Sequence, residues 1–187
     1  MIVFLVEEES MYTALSGLLP KLFPAWQEGA QWQCLVHEGK SDLEISIPRK
    51  LKGYRAPGTR FVVLRDNDSA DCDSVKQRLR QLCEAANRPD TLIRLACQQL
   101  EAWFLGDLAA VSKAYGKPAI AAQQDKRKYR DPDRLSNAPD EIRRLTGVSG
   151  KIDRARRIAE EMNLSANRSR SFRVFVDGLR NWNEVQE

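Results

Sequence analysis

Two clusters of carboxylates, each set directly behind a short apolar run, are the residues of this chain best placed to do chemistry. Glu7-Glu8-Glu9-Ser10 follows Ile2-Val3-Phe4-Leu5-Val6, and Asp66-Asn67-Asp68 follows Phe61-Val62-Val63-Leu64 and Arg65. Carboxylates crowded at one place repel unless a hard divalent cation neutralises them, and Mg²⁺ or Mn²⁺ takes oxygen ligands of this type. Asp66 and Asp68 stand two apart, so an extended strand end can point both the same way. The expected metal ligands are Glu7, Asp66 and Asp68. Glu7 is also a candidate general acid/base. The competing reading of Asp66 and Asp68, as ordinary turn and cap residues, stays open at this level.

Those acids need a frame that brings two distant segments to one edge. Near-continuous apolar runs read as strands buried on both faces, the mark of a parallel sheet covered by helices. Strands are expected at 2–7, 31–37, 60–65 and 91–97. Between them lie helical patterns: Leu15, Leu18, Leu19 and Leu22 after a Ser10 cap, a weaker stretch at 41–51, and Val75, Leu79, Leu82, Cys83 and Ala86. Alternation of strand and helix gives βαβ units, and ligands of such sheets bind beyond the carboxyl ends of the strands. Both acidic clusters then emerge at the same edge. After Gln98 only helices are expected, at 98–105, 107–115, 138–146, 151–162 and 170–181. The chain reads as one domain, an α/β core over 1–105 with a helical, basic extension over 106–187.

Further candidates come from that second half. Glu101 follows the fourth strand, either as another metal ligand or as an exposed helical glutamate. Lys151 and Arg154 open a helix whose Ile152, Ala155, Ala159 and Met162 can face the core, which leaves Lys151 to stabilise charge on a transferring phosphate. Asn167-Arg168-Ser169-Arg170-Ser171-Phe172 precedes a helix start, an anion-friendly place, so Arg168 and Arg170 join Arg154 as nucleic-acid contacts. The alternative is a plain helix cap built on Ser169 or Ser171. Residues 1–125 carry 15 Lys/Arg against 16 Asp/Glu, whereas residues 126–187 carry 15 against 10. An acidic front and a basic back suit a metal-and-phosphate enzyme that holds a polyanion.

Other classes are excluded by what is missing. There is no Gly-x-x-x-x-Gly-Lys-Ser/Thr loop and no Gly-x-Gly-x-x-Gly, which argues against P-loop and dinucleotide enzymes. The lone His37 alternates within the second strand and reads as structural, so no Ser-His-Asp triad is credible. With Cys34, Cys72, Cys83 and Cys97, which show no Cys-x-x-Cys spacing, it completes no standard zinc set. No apolar stretch approaches the roughly 20 residues that span a bilayer. The cysteines read as reduced core thiols, and a reducing cytoplasm is the expected setting.

Strand–Glu followed by strand–Asp-x-Asp resembles the Toprim fold of topoisomerases, primases and the nuclease half of the overcoming-lysogenisation-defect proteins. The chain looks most like a bacterial family of small, stand-alone Toprim-like proteins, through Leu100-Glu101-Ala102-Trp103-Phe104-Leu105-Gly106-Asp107 and the segment from Asn167 to Phe172. Glu8 stands where the Toprim glutamate is commonly followed by Gly, and Met11 where a second acid often occurs. The resemblance implies Mg²⁺-dependent cleavage of nucleic acid, DNA ranked ahead of RNA, with an ATPase partner in phage defence or DNA repair. It equally implies an alternative: a weakly active or inactive partner subunit.

Overall fold

The computed structural model describes the chain through residue 184. Four strands, β1 (Ile2–Val6), β2 (Trp32–Val36), β3 (Arg60–Asp66) and β4 (Leu92–Ala96), form one all-parallel sheet in the order β2-β1-β3-β4. The two central strands are the two apolar runs. Residues Ile2 to Val6 and Phe61 to Leu64 are buried throughout, because helices cover both faces of the sheet.

Alternation along the strands divides the core in two. Val3, Leu5, Phe61 and Val63 pack with Leu43, Ile47 and Leu51 of α2 (Lys40–Gly53) and Leu79 and Cys83 of α3 (Cys72–Glu84). Ile2, Phe4, Val6, Val62 and Leu64 face the other way, onto α1 (Glu9–Leu22) and the helical second half of the chain. That half comprises α4 (Glu101–Leu105), α5 (Leu108–Tyr115), α6 (Pro118–Ala121), α7 (Ala138–Thr146), α8 (Lys151–Glu161) and α9 (Arg170–Glu184). Its buried Trp103, Ile142, Ile158 and Phe172 share one apolar cluster with β1 and α1. The extension is thus folded onto the sheet through a common core.

Two close approaches fix how the extension sits. Gly17 of α1 meets Ala159 of α8 so tightly that an added Cβ would lie 3.0 Å from the alanine methyl. Lys21, one turn further on, donates to the carbonyls of Ala159, Glu160 and Met162 at 2.5, 3.1 and 2.8 Å and so caps the end of α8. At the opposite end Lys151 reaches Glu8 at 3.2 Å. The two helices therefore run parallel, and both N-termini arrive at the carboxyl edge of the sheet. At Gly106 an added Cβ would lie 2.0 Å from Asn167 Oδ1, so only glycine lets the Asn167 segment dock there.

Several local expectations are corrected. Ser10 is not the cap of α1; Glu8 holds that position, and the Ser10 hydroxyl turns back to the Glu8 carboxylate. Ile152 is exposed rather than in the core, because α8 turns Ala155, Ile158 and Ala159 inward. No helix among the described residues is long and apolar enough to cross a membrane.

Candidate metal centre at the carboxyl edge of the sheet

Parallel pairing of β1 and β3 sets Val6 opposite Leu64, and the next residues bring the two acidic clusters together. Glu7 Oε2 accepts a hydrogen bond from the Asp66 backbone N–H at 3.1 Å. Glu7 and Asp66 therefore meet at one edge of the sheet. Behind them lies Arg65, a buried cation that the sequence pattern does not single out. Its Nε donates to the Asp66 carbonyl at 2.8 Å, its Nη1 to Glu44 Oε1 at 2.8 Å, and Glu7 Oε2 is 3.8 Å from Nε.

Asp66 is the focus. Only 6% of it is exposed, and its Oδ1 is buried without a hydrogen-bond partner among the described residues. Such an atom costs on the order of 1–3 kcal/mol, so it normally has a role or a ligand. Burial, followed by the charges of Glu7, Glu101, Glu8 and Asp68, holds the Asp66 carboxyl well above the usual carboxylate range. Glu7 is shifted up as well, again mainly by burial; its bond from Asp66 N–H and the Arg65 charge oppose the shift.

Cations stand at the rim. Lys40 Nζ lies 3.0 Å from Asp68 Oδ2, and Lys151 Nζ lies 3.2 Å from both Glu8 oxygens. Burial lowers the Lys151 pKa, but Glu8, Glu101 and Asp66 outweigh it and leave the ammonium more firmly protonated than usual. Lys151 thus stands at the Glu8 side of the acidic edge. Asp68 and Ser69 adopt left-handed backbone, φ +47° and +64°, which turns the loop back across the edge. The bend is held by Gln98, whose carbonyl accepts from Asp68 N–H at 3.1 Å and whose side-chain oxygen accepts from Ser69 Oγ at 2.6 Å.

Glu101 is not an exposed helical glutamate. It is buried at the start of α4, its Oε1 3.3 Å from Arg154 Nη2. Arg154 differs from its expected role: it is 3% exposed, and its Nη1 donates to the carbonyls of Val148 and Ser149 at 2.9 and 2.7 Å. A guanidinium so enclosed cannot meet a polyanion at the surface; it balances Glu101 from behind. Arg168 is bound to Gln124 O and Asp125, and Arg170 is exposed on α9, both outside the acidic cluster.

The anion-friendly start of α9 is already occupied, by Asp133. Its carboxylate accepts from Ser171 N–H at 2.7 Å, Ser169 Oγ at 2.6 Å and Ser171 Oγ at 3.2 Å, while Ser169 Oγ accepts from Phe172 N–H at 3.1 Å. The Asn167–Phe172 segment is therefore a capped helix start buckled to a distant acid, the alternative reading. Sequence pattern could not find Asp133, Glu44 or Arg65, because each owes its place to a contact across the fold rather than to spacing.

Among the described residues, no three His, Cys, Asp or Glu side chains are drawn together as a ready cation cage. The acids line one edge, with lysines holding the outer two.

The chain belongs to a family described as a domain of unknown function (DUF4276), whose model matches residues 6–180. No curated protein and no solved structure matches it significantly.

Proposed function

We propose that the protein is a Mg²⁺- or Mn²⁺-dependent phosphodiesterase acting on nucleic acid at the carboxyl edge of its sheet. The observation that carries this reading is Asp66 Oδ1, a buried acceptor without a partner among the described residues, set among four further carboxylates. A hard cation suits the chemistry of those donors, all oxygen and over-supplied with negative charge, and the acids would have to draw closer together to share it. Asp66, Glu7 and Asp68 would hold it, with Glu101 behind them. When bound, the cation would neutralise phosphate charge and help supply an attacking hydroxide. The chain's own groups do the rest. Glu7, raised by burial, is fit to accept or return a proton. Lys151 and Lys40 present ammonium groups at the mouth, where a phosphodiester would displace them from Glu8 and Asp68. Arg65 fixes the loop by holding the Asp66 carbonyl. The resemblance of Glu7 and Asp66-x-Asp68 to the Toprim pattern points the same way, and the basic residues of 126–173 would meet the backbone of the strand.

A second reading has its own support. Glu8 and Asp68 are already balanced by lysines, which suits a partner subunit that neither binds metal nor cleaves, working beside an ATPase.

Melting curves with added Mg²⁺, together with cleavage assays on DNA and RNA, separate the two. The phosphodiesterase reading expects Mg²⁺ to raise the melting temperature, since a ligand stabilises the state it binds. It also expects cleavage that is lost in Asp66→Ala and Asp68→Ala while both variants stay folded. Melting that ignores Mg²⁺ and Mn²⁺, with no cleavage under either, would sink it in favour of the partner subunit.

A further inference from the structure

The loop that carries Asp66 and Asp68 is tied to a pair of sulfurs. Cys72 is the first residue of α3, and Cys97 directly follows β4; their Sγ atoms are 3.6 Å apart. A disulfide needs about 2.05 Å, so closing it asks for about 1.5 Å of movement, within reach of side-chain rotation. Between the sulfurs and the acids sits Asn67. Its Nδ2 donates to Cys72 Sγ at 3.2 Å and to the Ala70 carbonyl at 2.8 Å, and its Oδ1 accepts from Gln98 N–H at 2.5 Å. Asn67 is thus the residue that holds Asp66 and Asp68 on either side of it, and one of its anchors is a thiol.

The pair is also reachable. Both cysteines are half-buried and line a cavity of about 360 Å³ with Lys76, Arg94 and Arg170 around it. Cys34 and Cys83 lie elsewhere, on β2 and near the end of α3.

We propose that Cys72 and Cys97 form a reversible disulfide that resets the Asp66–Asp68 loop, making this edge of the sheet responsive to low-molecular-weight disulfides. Cys72 attacks first, because it lines the open cavity and its sulfur accepts a hydrogen bond from Asn67 Nδ2. Burial and the neighbouring sulfur push the Cys97 thiol up to about 12, so it does not compete as the first attacker; its 3.6 Å approach to Cys72 places it for the second step. In the first step Cys72–SH reacts with RS–SR, giving the mixed disulfide Cys72–S–SR and one RSH. In the second, Cys97 sulfur attacks Cys72 sulfur, the RS group departs, and the proton from Cys97 goes to it as a second RSH. Two protein thiols are oxidised and one external disulfide is reduced. Drawing Cys72 sulfur onto Cys97 removes the acceptor of Asn67 Nδ2 and loosens the Asn67–Gln98 clasp.

The disulfide does not depend on the phosphodiesterase reading; only its consequence for metal binding does, and the test uses neither metal nor cleavage. The full-length protein is equilibrated with oxidised and reduced glutathione, followed by intact mass, peptide mapping and backbone hydrogen exchange. The expected result is loss of two hydrogens, a single Cys72–Cys97 link, reversal by dithiothreitol, and faster exchange at the Asp68 and Gln98 amides. Cys97→Ser should stop at one glutathione carried on Cys72. A link between any other cysteines, or glutathione on Cys72 of the wild type with no internal link, overturns the disulfide. Unchanged exchange at Asp68 and Gln98 in the linked protein overturns the coupling to the loop.

Discussion

Asp66 and Glu141 are buried to nearly the same degree, 6% and 7% exposed, yet their surroundings differ in kind. Glu141, on α7, is ringed by donors. Lys128 Nζ reaches it at 2.7 Å, Arg144 bonds it through two nitrogens, and the buried Tyr129 hydroxyl donates to the same oxygen. Burial alone would push its carboxyl up; hydrogen bonds from Arg144, Lys128 and Tyr129 outweigh that and hold it near 2. Asp66 has the opposite environment, other carboxylates and an oxygen with no partner among the described residues. A fold that compensates one buried acid so fully in its helical half has left another uncompensated at its sheet edge. Uncompensated burial of charge is costly, and strongly perturbed carboxyls concentrate at functional sites.

The sharpest way to break this contrast is to remove each carboxylate in turn. Glu141→Ala strands the Tyr129 hydroxyl and empties a packed site, at a cost of about 2–3 kcal/mol. For a chain of this size that lowers the melting temperature by roughly 4–12 °C. Asp66→Asn should move it the other way, upward by on the order of 1 kcal/mol, because like charges several ångströms apart near a protein surface interact by a few kcal/mol at most. Thermal melts of the two variants without added metal check both signs. A drop for Asp66→Asn comparable to that for Glu141→Ala would make the two acids equivalent and remove the case for a site.

The two acids should also answer pH in opposite directions. The folded Glu141 pKa lies below its ordinary value of 4.5, so its stabilisation is present above 4.5 and is lost as pH falls toward about 2. Asp66 and Glu7 are raised above 3.8 and 4.5, so folding favours their protonated forms. Their contribution is whole below those ordinary values and is lost as pH rises through the raised ones. The stability difference between Asp66→Asn and wild type should therefore widen from about pH 4 upward. Added Mg²⁺ should narrow it in the wild type, by binding the ionised form. A difference independent of pH would show that Asp66 keeps an ordinary pKa in the fold, as a well-solvated carboxyl does.

The same contrast separates what the amino-acid sequence makes legible from what it hides. The parallel sheet is legible because Ile2–Val6 and Phe61–Leu64 lack a polar face, a local property that one covering arrangement explains. The convergence of Glu7 on Asp66 follows from that sheet by topology alone. Glu141 and Asp133 are invisible to pattern because their compensation comes from elsewhere. Tyr129 lies 12 residues before Glu141, and Ser171 lies 38 residues after Asp133. Arg154 shows the same limit from the other side. By pattern it stands beside Lys151 as a nucleic-acid contact, but its partner Glu101 is 53 residues away and draws it into the core. The segment Asn167–Phe172 reads as a phosphate site only while Asp133 is out of view.

A milder test of the helical half is its second compensated acid. Asp133→Ala removes three acceptor contacts from the start of α9, including the one to Ser171 N–H. Ser169 Oγ still caps Phe172, so the loss should be near that of a helix cap, about 1–2 kcal/mol. Urea unfolding would report it as a lower midpoint with an unchanged slope.

The smallest expected effect on stability belongs to the two lysines, and it is the most telling for the sheet edge. Lys40–Asp68 and Lys151–Glu8 are partly exposed pairs, worth about 0–1 kcal/mol each after solvent screening. Lys40→Met and Lys151→Met should therefore melt close to the wild type. Their effect on Mg²⁺ should be larger than their effect on folding. If these ammonium groups stand where a cation and a phosphate would bring positive charge, they compete with metal for Asp68 and Glu8. Each substitution should then tighten Mg²⁺ binding in calorimetry, while Lys151→Met lowers cleavage by removing charge from the mouth of the site. Weaker Mg²⁺ binding in both variants would mean that the lysines hold the acids in place rather than hold their charge in check. The edge would then be a salt-bridged surface, closer in character to Glu141 than to Asp66.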